Sequence, residues 1–197
     1  MARRVTEGVF DKRCAGVLLH PTSVPGAFGI GDFGPGAHDT FAWIERADLS
    51  WWQVLPVGPI VPGDSPCSST SSFAAEPLLV AIEGLVSDGL LPRDVLTGLP
   101  ANLGYGSTRY VDAAAIKFPL FQRARQAFQD SGGHSTAAWK RFVRRNRFWL
   151  TGWQAVTRDA SGLPGFLQFQ FARQWKRLRR AAEARGVGLR GNVPMLP

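Results

Sequence analysis

Cysteine is almost absent from this 197-residue chain: Cys14 and Cys67 are the only two, and no CxxC spacing joins them. His20, His38 and His134 are scattered as well, so neither a disulfide framework nor a metal site is indicated. No apolar run approaches the ~20 residues that a membrane span requires. The opening stretch MARRVTEGVFDKR is basic but has no apolar core and no small-residue cleavage site, which argues against a signal peptide. The expectation is a cytoplasmic protein with no membrane partner. Low-complexity linkers and internal repeats are also missing.

Acidic residues are scarce in one part of the chain. Residues 116–197 hold 3 Asp/Glu against 16 Lys/Arg, a net +13, whereas residues 1–115 hold 12 against 7, a net −5. A basic half suggests nucleic acid or an acidic partner. Arginines on solvated helix faces explain it as well, and 19 of the 23 basic residues are Arg, as a compositional bias would give. Nucleic acid therefore ranks low as a partner. A further reading is that an acidic segment outside this sequence balances the charge.

What is present points to a folded α/β protein. Apolar residues make up 45% and aromatic ones 11%, with seven Trp, enough for one hydrophobic core. CAGVLLHP (14–21) is a short apolar run closed by Pro, as expected of a fully buried parallel strand. TSVPGAFGIGDFGPG (22–36) is a structured loop dense in Gly and Pro. Its GIGDFG only loosely resembles a dinucleotide fingerprint, because it precedes a helix inside a Pro-rich loop. AHDTFAWIERAD predicts a helix with Phe41, Ile44 and Ala47 near one face, and WWQVLPVGP (51–59) predicts a second buried strand. Strand, loop, helix and strand in about 40 residues form a βαβ unit, the building block of parallel sheets.

The remainder predicts a short helix in PLLVAIEGLVSDGLL and two amphipathic helices in RYVDAAAIKFPLFQRARQAFQD and AAWKRFVRRNRFWLTGWQAV. FLQFQFARQWKRLRRAAEAR gives the clearest helix, with Leu167, Phe171, Trp175, Leu178 and Ala182 on one stripe and Arg173, Arg177 and Arg180 opposite. Gly186 ends it, and a third strand follows near 187–193. In parallel α/β folds ligands gather at the C-terminal ends of the strands. Here those ends are His20 to Ser23, Pro56 to Ser69, and Gly191-Asn192. Their Ser and Asp residues suit a polyhydroxylated ligand, and equally serve as ordinary turn residues.

Three ordered blocks, AGVLLHPTSVPGAFGIGDFGPGA, WWQVLPVGP and GDSP, resemble the N-terminal signature of the 4-alpha-glucanotransferases called amylomaltases or disproportionating enzymes (glycoside hydrolase family 77). YVDAAAIKFPLFQRA and FARQWKRLRRAAEARGVGLRGNVP resemble later segments of that family in the same order. The resemblance implies a partial (β/α)8 TIM barrel, comprising about the first three strands with helices and a loop-rich insertion. It implies an N-terminal part of the catalytic domain over 14–197 and an extension over 1–13. The implied activity is retaining transfer of α-1,4-glucan segments between maltooligosaccharides, through an Asp nucleophile and a Glu acid–base, without metal or organic cofactor.

The family places those carboxylates on later strands than the ones matched here. No catalytic residue is therefore assigned, and the chain is expected to be a truncated piece that is inactive alone. Asp64, Ser65 and Asn192 map to the family's substrate cleft, as contacts to maltooligosaccharides or other α-1,4-glucans. Several departures fall where sugar touches: Cys67 and Pro62 replace family Tyr residues, Ala75-Glu76 replaces Gly-Asn, and Asn192 replaces a carboxylate. Two alternatives stay open: a non-catalytic fragment that complements a separate C-terminal half, and a basic nucleic-acid-binding module.

Overall fold

The computed structural model describes residues 13–61, 65–99 and 106–191. Three short strands, β1 (Gly16–Leu18), β2 (Trp51–Val54) and β3 (Gly188–Gly191), form a parallel sheet in the order β1-β2-β3. In register, Val17 lies beside Trp52 and Trp52 beside Leu189, while Leu18 lies beside Gln53 and Gln53 beside Arg190. Among the described residues five α-helices accompany the strands: α1 (Pro35–Arg46), α2 (Ile82–Ser87), α3 (Tyr110–Asp130), α4 (Ala137–Val156) and α5 (Leu163–Ala184). The parallel βαβ reading and all five helices are borne out, and the fold class is α/β.

The burial pattern departs from the sequence reading in a systematic way. β1 was expected to be fully buried, but Gly16 and Leu18 are exposed, Leu18 by 56%. β2 alternates, with Trp52 and Val54 buried and Trp51 and Gln53 only half-buried. The cause is that helices cover one face of the sheet only. Val17, Trp52, Val54 and Leu189 pack against Ala37, Phe41 and Ile44 of α1 and Leu178 and Ala182 of α5. Side chains on a strand alternate between faces, so Leu18, Trp51, Gln53 and Arg190 point the other way. There they line a groove of about 330 Å³ together with Cys14, Ala15 and Gly16. Val17, Leu19 and Val54 join the helix-side core. Ala47 is also exposed, because α1 ends at Arg46, and Ala37 takes its place on the buried stripe.

α5 ties the molecule together. Its second half carries the expected stripe over the sheet, where Phe171 and Trp175 stack at 6.3 Å. Its first half is buried on every side from Gly165 to Gln170, inside a second cluster shared with Phe121 and Phe128 of α3 and Ile82 and Leu85 of α2. The helix stops as its sequence demands. Gly186 takes φ 68°, its N–H donates to the Glu183 carbonyl, and the Val187 N–H donates to Ala182. This is a Schellman turn, which delivers the buried Val187 directly into β3.

Candidate functional site

The loops at the C-terminal ends of β1 and β2 are held together by one polar chain that starts just past β1. The His20 ring is buried, and its Nδ1 accepts the Thr22 backbone N–H at 3.3 Å. That acceptance puts the ring proton on Nε2, which donates to the Pro56 carbonyl at 3.1 Å. The Thr22 hydroxyl lies 2.7 Å from Nδ1, donates to it, and accepts the Tyr110 hydroxyl at 3.0 Å. Each step agrees in polarity, so the neutral ring links the ends of β1 and β2 to the first residue of α3. Burial holds the His20 pKa below its usual value, against the pull of the Pro56 carbonyl, and so favours the neutral form that the chain requires.

The long loop after β2 is folded back upon itself. An isolated antiparallel bridge joins Ile60 to Ser69. Buried Glu76 clamps both sides of the return: one carboxylate oxygen accepts the Ile60 N–H at 2.9 Å, the other the Leu78 N–H at 3.0 Å. Burial nevertheless raises the Glu76 pKa, since two backbone donors and the Lys117 charge do not fully replace water. Gln168 on α5 finishes the anchor. Its amide donates to the Ala75 carbonyl and accepts the Ala75 N–H, both at 2.8 Å. Gln174 makes the same pair of hydrogen bonds with Ala81, accepting its N–H at 2.7 Å and donating to its carbonyl at 3.0 Å. Two side chains six residues apart on one helix thus stand in for a sheet neighbour along 75–81.

Beneath this loop lies a buried cluster of charge. Lys117 of α3 is wholly buried and donates to Asp32 at 2.7 Å and to the Leu78 carbonyl at 2.6 Å, between the rings of Phe28 and Phe121. Asp32 also accepts the Gly34 N–H at 2.9 Å, at the entry to α1. Glu83 stands nearby with one buried oxygen that has no hydrogen-bond partner, and its pKa is raised by burial and then by the negative charge of Asp32. Three acidic groups face a single ammonium, so Glu83 holds its proton more tightly than an ordinary carboxyl does.

Of the residues mapped to a cleft, only Ser65 falls among those described; Asp64 and Asn192 lie outside them. Ser65 is exposed, and its hydroxyl accepts the Cys67 N–H at 3.3 Å. Cys67 is exposed and unpaired, as is Cys14. Among the described residues no group of three or more His, Cys, Asp or Glu could hold a metal ion. No described helix is long and apolar enough to cross a membrane. Reasoning from sequence missed the roles of His20, Thr22, Tyr110, Lys117 and the two glutamines. Two polar residues inside an otherwise apolar segment, Gln168 and Gln170, were the one visible hint.

A sequence profile described as 4-alpha-glucanotransferase matches residues 19–158, about seven-tenths of the chain. The chain belongs to the 4-alpha-glucanotransferase family. Among curated members, the enzyme from Solanum tuberosum is 31% identical over 226 residues, covering 94% of this chain and 38% of its own length. The one from Synechocystis sp. is 30% identical, covering 95% of this chain and 44% of the relative, and the one from Thermus thermophilus is 30% identical, with 93% and 42%. This family member therefore spans about two-fifths of the length of the curated relatives it matches. Among solved structures, an amylomaltase from Streptococcus agalactiae in complex with acarbose superimposes with a TM-score of 0.75 at 22% identity. It covers 91% of this chain and 43% of that one, and supports the fold.

Proposed function

We propose that residues 14–197 are the front part of a 4-alpha-glucanotransferase catalytic domain, with 1–13 as an extension. In this reading β1, β2 and β3 are the first three strands of a (β/α)8 barrel. α1 and α5 lie on its outer side, and Leu18, Trp51, Gln53 and Arg190 face its interior. The loop after β2 forms one wall of a cleft for α-1,4-glucans, with Asp64, Ser65 and Asn192 in contact with sugar hydroxyls. The His20–Thr22–Tyr110 chain and the Glu76 and Gln168 clamps hold that wall in shape. The activity of the whole assembly is retaining glucan transfer between maltooligosaccharides. It needs two carboxylates about 5–5.5 Å apart, which the family resemblance places on later strands.

The family match across 19–158, which takes in β2 and the loop after it, together with a sheet of three parallel strands, carries this conclusion. The test measures glucose and longer glucans released from maltotriose. The 197-residue chain alone is expected to give none, and the chain mixed with a polypeptide supplying the later strands is expected to give both. Activity in the chain alone, surviving repeated purification, overturns the assignment of the catalytic groups. A complementing fragment is the second reading, and the uncovered sheet face with Leu18 exposed favours it.

A further inference from the structure

α4 is the one long helix without an acidic residue, and it carries five cations in eight positions. Lys140, Arg144 and Arg147 follow one another at i, i+4 and i+7, which stacks them in one row on the helix surface. Arg141, Arg145 and Phe148 form the adjoining row at the same spacing. All six are exposed, while Trp139, Phe142 and Leu150 turn toward the protein. The two rows run about 10 Å along the helix at 1.5 Å per residue.

Among the described residues five cations elsewhere have a carboxylate partner, while others, such as Lys176, Arg179 and Arg180 of α5, have none. On α5, Arg173 and Arg177 share Asp88, at 3.0 and 2.6 Å, and beyond its end Arg185 meets Glu45 at 2.7 Å. On α4 none of the five cations has a carboxylate partner among the described residues. Like charges three and four residues apart repel, so the helix holds this face at a cost that an anion would relieve.

Phe148 is 73% exposed in the midst of these cations. It is not isolated: Phe73 meets it edge-on, with ring centroids 5.1 Å apart and an interplanar angle of 87°. Phe73 is itself 61% exposed and belongs to the folded-back loop after β2, three residues before Glu76. An aromatic pair thus joins the cationic rows to the wall read above as the glucan cleft. Exposed rings offer a pyranose its apolar contact, and guanidinium forks offer a phosphate two parallel hydrogen bonds.

We propose that this surface, Lys140, Arg141, Arg144, Arg145 and Arg147 around the Phe73–Phe148 pair, is a subsite for phosphate-bearing α-glucans. Glucosyl rings stack on the phenylalanines, and phosphate monoesters sit on the arginines. The proposal rests on the glucan reading of the loop after β2, because continuity with that loop is what favours a sugar over another polyanion.

The experiment titrates the full chain with phosphorylated maltodextrin and with the same preparation after phosphatase treatment, following heat. The phosphorylated form is expected to bind at least about tenfold tighter, the scale of one charge-assisted hydrogen bond. The Arg144→Gln/Arg147→Gln variant is expected to lose that preference while keeping its affinity for the neutral form. Phe148→Ala is expected to weaken both forms. Raised salt acts as the arginine change does, through screening. All three positions are exposed, and unchanged circular dichroism checks the fold. Equal affinity for the two maltodextrins overturns the subsite and leaves the glucan reading intact. Binding of neither overturns both. Tighter binding of a single-stranded oligonucleotide or of polyglutamate overturns it in favour of a different polyanion.

Discussion

Replacing Lys117 by Met tests the buried ion pair most directly. Methionine keeps an unbranched apolar side chain but removes the charge, which lies 5.9 and 5.8 Å from the Phe28 and Phe121 ring centroids, and its donors. Asp32, only 6% exposed, is then left with the Gly34 N–H as its single hydrogen-bond donor among those seen, and Leu78 loses a donor at 2.6 Å. Removing one partner of a buried pair costs about 3–5 kcal/mol, because the other charge stays behind without compensation. For a chain of this size each kcal/mol moves the melting point by about 2–4 °C, so the expected drop is roughly 6–20 °C. Asp32→Asn alone is expected to cost a similar amount, since it strands Lys117. The double variant removes both charges and keeps an acceptor for Gly34, and should recover most of the loss. Urea unfolding followed by tryptophan fluorescence reads all three, with fully buried Trp52 as one reporter. A Lys117→Met protein within about 1 kcal/mol of the parent, or a double variant as unstable as the sum of the singles, refutes the reasoning.

Three other outcomes are expected. Glu83→Gln should raise the urea midpoint at pH 7: the folded-state pKa of Glu83 is raised, so the stability tied to its proton is present below the ordinary value of 4.5 and lost as pH rises through the folded pKa. The gain should therefore vanish on acidification below 4.5, and a gain that persists there counts against it. Gln174→Ala strands the buried N–H and carbonyl of Ala81 and should cost roughly 2–6 kcal/mol by urea titration, whereas Arg179→Ala at an exposed site should move stability by less than about 0.5 kcal/mol. The 197-residue chain should self-associate in sedimentation at 0.15 M salt through its uncovered strands, and Leu18→Lys should reduce this; a compact monomer in the parent chain sinks the idea.

Local pattern was enough to place the elements. Apolar runs closed by Pro marked β1 and β2, the 3.6-residue stripe marked α5, and Gly186 marked its end, because each of these signals is carried by neighbours in sequence. The ordered motifs likewise pointed to the family. Which side of each strand would be covered was not legible. Val17 and Leu18 are both aliphatic, and only the docking of α1 and α5 on one face decides that Val17 is packed while Leu18 is open. The site followed the same division. Ser65 was mapped to the cleft through the family resemblance, and it lies exposed on the loop. The groups that hold that loop were invisible, since His20 and Pro56 are 36 residues apart, Asp32 and Lys117 are 85, and each glutamine is 93 from its backbone partner. Sequence fixes what each segment can form by itself. Tertiary structure decides which polar groups leave water together, because their desolvation is tolerable only when a distant partner arrives.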